Sequence, residues 1–518
     1  MLSKLFGTNF VHKITLLAYC SIAFGLPLNK IVLSLATILL AFIVLFDSDF
    51  KKSIQKIFQN KILILLIAFI CFHFLSLFWT NNYNYFWNDF NSKLPFYALP
   101  IVFVLKPIDS KTELYLIFSC FIFSLFITSI VNVSIYYSKN NFNDIRYMSL
   151  FLSHIRYGLM IVFGTVLCYF WLINEKLRLK WIPIILIFWF IFYTYISEVF
   201  SAYIILIFIA LYLTLKQLKK STSFKFKNII FISSFGILIV FTSFIGYYFF
   251  IDITPIPIPK KNEKTALGNE YYYESTKTTR INETPVYTYI CGIELKEEWA
   301  KISKKGIFDK NPSGFENYYI LIQYMASKGF LKKDAETFKK LNHKDIQNVE
   351  NGINNCCPEK NIGFIKRIKT LREEIYEPDP NGKTVRQRIE YLKAGFSIFK
   401  SNFIYGSSPG DIDDLFQNYY LKTNSHLKLE NRLRTHNQIF TYFISFGIIG
   451  GLIFVYLLLK SLSFFRKEKI ILATIFMLIV ILSFFSEDTL ETQMGATFFG
   501  LFFGLFISST SILKEHEN

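Results

Sequence analysis

Long apolar windows recur along this chain, and no other feature restricts its fold as much. A helix needs roughly 20 mostly apolar residues to cross a hydrocarbon core of about 30 Å. Twelve stretches read as such spans: about 13–28, 30–46, 61–79, 93–106, 113–137, 155–173, 181–196, 199–215, 228–251, 436–460, 469–485 and 493–511. Backbone polar groups in oil must be paired within the chain, so spans of this length are helical. With 52% hydrophobic residues, 19% aromatic residues and a mean hydropathy of +0.35, the main solvent is lipid. The expected fold class is an all-α polytopic membrane protein of about 12 transmembrane helices. One large, mostly helical extracytoplasmic loop is expected between helices 9 and 10.

A net charge of +18 suits nucleic acid at first sight, but its placement follows membrane sidedness. Alternate short connections hold the cations: Lys51, Lys52 and Lys56; Lys106 and Lys111; Lys176, Arg178 and Lys180; Lys216, Lys219, Lys220, Lys225 and Lys227; Arg466, Lys467 and Lys469. The positive-inside rule puts these connections and both termini in the cytoplasm. Connections with acids and no Lys or Arg, such as "SEVFS" (197–201) and "SEDTLETQ" (486–493), belong outside with the large insertion. Lys4, Lys13 and a short apolar run resemble a signal peptide, but no small-residue cleavage site follows Gly25, so an uncleaved first helix is expected.

The organisation is an N-terminal membrane domain of about nine spans (1–251), an extracytoplasmic domain (252–435) and a C-terminal membrane domain of about three spans (436–518). The middle domain opens with "DITPIPIPKKNEK", whose alternating prolines favour extended backbone. Amphipathic helical pieces follow, among them "ELKEEWAKIS", "FENYYILIQYMASKG" and "FIKRIKTLREEIYE". Cys20, Cys71, Cys120 and Cys168 lie in spans as small packing residues. Cys291, Cys356 and Cys357 lie in the middle domain without metal-ligand spacing, and the adjacent pair is too close for an ordinary bridge. An oxidising compartment leaves open a bridge from Cys291 to Cys356 or Cys357.

In "TVRQRIEYLKAGFSIF", Thr384 and Gln387 form a capping-box start, and Val385, Ile389, Leu392, Phe396 and Phe399 form one apolar stripe. Arg388 falls just beyond the nearer edge of that stripe and is the arginine expected to be held against packed structure, while Arg386 points well away from it. The turn "GSSPGD" (406–411) follows, where Gly406 and Gly410 allow backbone to approach a ligand or another helix. "LRTHNQIF" then gives a second capping box, Thr435 with Gln438, which places His436 and Asn437 in the first turn of the tenth span. Free N–H groups and the dipole at a helix start suit an anion, and the same field favours a neutral His436. Arg432, Arg434 and Arg388 supply cations nearby. "SHIRYG" (153–158) brings His154 and Arg156 to the same side, and Glu487, Asp488 and Glu491 form an external acidic cluster, expected to be solvated or paired with arginine. Headgroup anchoring is the competing reading of the cations. No P-loop, dinucleotide fingerprint, His-x-x-x-His pair or nucleophile elbow is present.

Three separated stretches resemble the O-antigen ligase and polymerase family in its Bacteroidetes form. They are "SLFWTNNYNYFWNDFNSKLPFYALPIVF" (76–103), "TVRQRIEYLKAGFSIFKSNFIYGSSPGD" followed by "RLRTHNQIFTYFISFGIIGGLIF", and "SFFSEDTLETQMGATFFGLFFGLF" (483–506). Ser408 stands where related turns have another Gly, Phe403 where a Pro is common, and "EVFSAYI" (198–204) lacks an arginine that often follows the serine. The resemblance implies glycan transfer from undecaprenyl pyrophosphate to a hydroxyl, such as the lipid A core, at the periplasmic side of the bacterial inner membrane. It further implies that Arg388 and Arg434 clamp the pyrophosphate while His436 activates the acceptor. Arg156, Asn437, Gly406, Gly410 and Asp411 complete the candidate substrate contacts; no metal ligand, cofactor or nucleic-acid partner is expected. A polymerase and a protein O-oligosaccharyltransferase share this donor chemistry. A transporter fits less well, because few ionizable residues lie within the spans.

Overall fold

The computed structural model describes residues 7–46, 50–138, 145–174, 179–220, 256–357 apart from 275–276 and 278, and 379–517, with isolated positions at 243, 246, 367–368, 370–372 and 374. The chain divides into two compact units, Met1–Ile237 with Arg388–Asn518, and Leu238–Gln387.

The first unit begins with α1 (Thr8–Gly25), α2 (Lys30–Leu45), α3 (Phe50–Gln59), α4 (Lys61–Leu75), α5 (Tyr83–Leu105), α6 (Lys111–Ser138), α7 (His154–Asn174), α8 (Trp181–Ser197) and α9 (Phe200–Lys220). Lys61–Trp79, Lys111–Ser138, His154–Ile173 and Gln438–Lys467 are long and apolar enough to cross a membrane; Lys30–Leu45, Trp181–Ser197, Phe200–Lys216, Ile471–Phe484 and Gln493–Ser508 are shorter apolar helices. All coincide with apolar windows of the sequence, while the window at 228–251 lies almost wholly outside the described residues. Large apolar side chains such as Leu35, Ile38 and Phe188 remain over 60% exposed, as suits a surface that meets oil. Helix α5 starts well before its apolar window, because the Asn82 side chain accepts the Tyr85 N–H at 3.0 Å and adds a polar first turn.

The second unit is a small domain with its own core of Val286, Ile290, Leu295, Trp299, Leu321, Met325, Phe338 and Val349. Two short strands, β1 (Arg280–Ile281) and β2 (Thr284–Pro285), pair antiparallel through a turn at Asn282 and Glu283, both at positive φ. Helices α10 (Gly292–Ile302), α11 (Asn317–Ser327), α12 (Ala335–Phe338) and α13 (His343–Glu350) follow. The first two carry the amphipathic pieces expected of the sequence, and "FIKRIKTLREEIYE" falls largely outside the described residues. Capping boxes Asp334/Thr337 and Asn342/Asp345 start α12 and α13. Lys333 is buried and donates to the Pro285, Thr288 and Leu331 carbonyls; burial lowers its pKa to about 7. Cys291 is a buried free thiol, and Cys356 and Cys357 are free as well, so the bridge from Cys291 is not formed.

Helix α14 (Thr384–Ser401), helix α15 (Ile412–Lys422) and helices α16 (Gln438–Lys467), α17 (Ile471–Phe484), α18 (Gln493–Ser508) and α19 (Thr510–Glu517) complete the chain. Helix α18 lies against α5 at backbone distance. A Cβ on Gly500 would stand 2.4 Å from the Pro95 carbonyl oxygen, and one on Gly504 2.8 Å from Pro100 Cα. Where helices sit in oil, such small residues replace hydrophobic drive with close packing.

Helix α14 departs from the sequence reading in its phase. Its buried positions are Tyr391, Ala394, Gly395 and Ile398, whereas Ile389, Leu392 and Phe396 are 38%, 43% and 62% exposed. At 100° per residue Arg388 lies about 20° from Gly395 on one side and about 20° from Phe399 on the other, between the buried face and the partly buried edge of the stripe. Arg386 is half-buried with a shielded Nε, so it does not point freely away either.

Helix α16 is broken at Gly447, where φ is 64° and ψ −167°. The turn after α14 repairs the break. Ser407 N–H and Ser408 N–H donate to the Ile444 and Ser445 carbonyls at 2.9 and 3.0 Å, and Ile448 N–H donates to the Phe403 carbonyl at 2.8 Å. Irregular backbone among apolar helices is stable only where the protein supplies these partners. The approach leaves no room for side chains, since a Cβ on Gly406 would lie 2.3 Å from Gly447 N.

Candidate functional site

The chain entering α16 differs from the expected capping box. Asn437 is the N-cap, its side chain accepting the Phe440 N–H at 2.9 Å, and the helix proper starts at Gln438. His436 therefore precedes the first turn, in a left-handed conformation with φ 49°. A branched-ring residue held there stores backbone strain that its surroundings must offset, a pattern concentrated at functional sites. Thr435 bonds the Thr441 hydroxyl at 2.7 Å instead of capping the helix with Gln438. Gln438 turns inward, donating to Glu491 at 3.0 Å and accepting the Leu490 N–H at 2.7 Å.

These bonds tie the 434–438 segment to the 487–491 turn, and the acids of that turn are buried and paired. Arg434 Nη1 lies 3.0 Å from Glu491, which also receives the buried Lys93 ammonium at 3.0 Å. Lys93 in turn meets Asp89 one helical turn earlier at 2.6 Å. Arg156, at the start of α7, lies 2.8 Å from Glu487 and 3.5 Å from Asp488. His436 Nδ1 is 3.4 Å from Asp488 Oδ1, and its ring centre is 5.6 Å from that of Tyr391 on α14. Arg388, one turn before Tyr391, is close enough for its charge to act on Glu487. Asn437 Nδ2 donates to the Phe485 carbonyl at 3.3 Å.

Electrostatics follow from this geometry. Burial alone would raise Asp488, but the His436 hydrogen bond and the charges of His436, Arg434 and Arg156 prevail and hold it well below the carboxylate range. Glu491, also penalised by burial, is lowered to about 2 by Lys93 and Arg434. Glu487 is raised by burial, with Asp488 adding to the rise and Arg156 opposing it. Burial opposes the charge of Arg434, yet Glu491 raises its pKa and keeps it cationic. Lys93, Arg156 and Arg434 thus pair with Asp89, Glu487, Asp488 and Glu491, and the charge of Arg388 acts on Glu487 from a longer range.

The structure brings together His436, Asn437, Arg434, Arg388 and Arg156. Gly406, Gly410 and Asp411 lie in the turn that repairs helix α16, where protein groups occupy them. A Cβ on Gly410 would sit 2.2 Å from the Thr80 hydroxyl, and Asp411 accepts the Asn81 and Asn82 N–H groups at 2.8 and 2.9 Å. Asp488 behind His436, and the Asp89–Lys93 pair beneath Arg434, were not among the expected site residues. An acid and a lysine four apart on an apolar helix are the sequence signal for the latter.

His436, Glu487 and Asp488 also present one ligand atom each within 4.8 Å of one another, a spacing that suits a metal ion. Arg156 already rests on both carboxylates, so a cation there competes with a guanidinium.

No curated protein matches the chain. A family model described as O-antigen ligase matches residues 344–455, which include Arg388, Arg434, His436 and Asn437. Over residues 344–455 the chain is thus similar to the O-antigen ligase family, which supports the family resemblance read from the sequence.

Proposed function

We propose that this protein moves a glycan from undecaprenyl pyrophosphate to a hydroxyl acceptor, the lipid A core, at the outer face of the cytoplasmic membrane. The observation that carries the reading is His436, backed by Asp488, with Arg156 on the same acidic turn and Arg388 and Arg434 on the segment that matches the family. With Nδ1 turned to Asp488, Nε2 is the nitrogen left for the acceptor. It takes the hydroxyl proton as the acceptor oxygen bonds the anomeric carbon and the bond to the pyrophosphate breaks. Asp488, anionic, stabilises the imidazolium that forms and fixes the ring. The guanidinium groups stabilise the charge growing on the leaving pyrophosphate with planar, paired donors. Glu487 and Glu491 hold those groups in place until the donor arrives. The donor carries its own activation, so neither a nucleotide nor a metal is required.

In this reading residues 252–435 are extracytoplasmic, both termini are cytoplasmic, and the membrane domains are 1–251 and 436–518. The test is deletion of the gene followed by gel analysis of surface glycans. Loss of attached polymer with carrier-linked chains retained supports the ligase; caps of a single repeat mean a polymerase, and unchanged glycans refute both.

A further inference from the structure

The second unit carries a feature that glycan transfer does not use. Cys356 Sγ and Cys357 Sγ lie 2.9 Å apart, about 0.9 Å longer than a disulfide bond of roughly 2.05 Å. The turn that brings them together is held from several sides. Cys356 N–H donates to Ser327 Oγ at 2.8 Å, and Cys357 N–H to Asn355 Oδ1 at 3.0 Å. Asn282, at the tip of the β1–β2 hairpin, donates from Nδ2 to the Ser327 and Cys357 carbonyls at 2.8 and 3.1 Å. Cys291 has other company, being buried close to Glu294, Tyr271 and Tyr318.

We propose that Cys356 and Cys357 are an oxidation site, closed to a disulfide between adjacent residues by exchange with a protein disulfide of the extracytoplasmic compartment. The proposal rests on the reading that residues 252–435 lie outside the cytoplasm. Cys357 is exposed and Cys356 half-buried, which sets the order of events. The Cys357 thiolate attacks the donor disulfide, forming a mixed disulfide and releasing one donor thiol. Cys356 then loses its proton and attacks Cys357 Sγ, expelling the second donor thiol. Two S–H bonds are lost, one S–S bond forms, and the donor gains two electrons and two protons. Neighbouring Cα atoms are closer than an ordinary bridge prefers, so the ring is strained and easily reduced. Closure ties the 355–357 turn to itself, not to the Cys291 core.

The test is differential alkylation of acid-quenched cells producing the full chain, with mass spectrometry of tryptic peptide 345–360. A second sample carries Lys310→Cys, probed with a membrane-impermeant maleimide. The expected peptide is unlabelled before reduction, two hydrogens lighter than the dithiol, and takes two labels after reduction. A Cys356 or Cys357 bridge to the Cys291 peptide overturns the proposal. So do two free thiols: with Lys310→Cys labelled from outside, the site alone fails; with Lys310→Cys protected, the topology fails with it.

Discussion

At the scale of single residues, His436 bears most of the account. His436→Ala is expected to slow transfer by roughly 10²- to 10⁴-fold, the share that positioned proton transfer supplies, with donor affinity near normal. Transfer rate and donor affinity at matched membrane abundance check this. Arg388→Lys is expected to weaken donor binding instead, because an ammonium lacks the planar fork of donors. Glu491 gives a pH test. Its folded pKa of about 2 lies below the ordinary 4.5, so its stabilising contribution is complete above about pH 4.5 and is lost as pH falls toward 2. Thermal melts in detergent across that window are expected to show an acid-induced fall that Glu491→Gln flattens. The cluster was partly legible in sequence: the acids at 487, 488 and 491 and the arginines at 156 and 434 stood out, with solvation and arginine pairing both left open for the acids. Which acid meets which arginine was not, because segments some 50 to 330 residues apart supply the partners, and only the fold brings them together.

Elements show where periodicity stops being informative. The apolar stripe of α14 was readable, but its direction was not. Ile389, Leu392 and Phe396 are exposed while a face of Tyr391, Ala394, Gly395 and Ile398 is buried. In a soluble protein an apolar stripe meets the core; for a helix just outside a bilayer the membrane interface is a second apolar partner, and periodicity does not choose between them. The start of α16 moved for a comparable reason. Thr435 and Gln438 have the spacing of a capping box, but stronger tertiary partners, Thr441 and the 490–491 turn, claim both side chains. The break at Gly447 had no sequence signal beyond the glycine itself. Gly447→Ala places a Cβ 2.2 Å from the Ile404 carbonyl oxygen at positive φ. Such strain is worth on the order of 1–3 kcal/mol before the steric clash is added. A clear drop in melting temperature and in membrane abundance is expected, whereas Gly314→Ala, with open space around it, loses only what its backbone angle costs.

For the whole molecule, the apolar windows located the apolar helices found among the described residues, since length and hydropathy are local properties and oil imposes helical backbone. Sidedness is a further expectation of the Lys/Arg alternation. A cysteine at Lys310 is expected to react with an impermeant reagent in intact cells, and one at Lys220 to be protected. The chemistry is expected to be metal-independent as well, with activity persisting in excess chelator; loss restored by magnesium would assign the His436, Glu487 and Asp488 group to a cation. The central claim is the transfer itself. It is tested most directly by incubating the purified full chain in detergent with undecaprenyl-pyrophosphate-linked glycan and lipid A core, and following both lipids by mass spectrometry. The account predicts that glycan appears on the core as free undecaprenyl pyrophosphate accumulates, and that His436→Ala slows both together. Glycan that stays on its carrier with the wild-type chain, or transfer that His436→Ala leaves untouched, would contradict it.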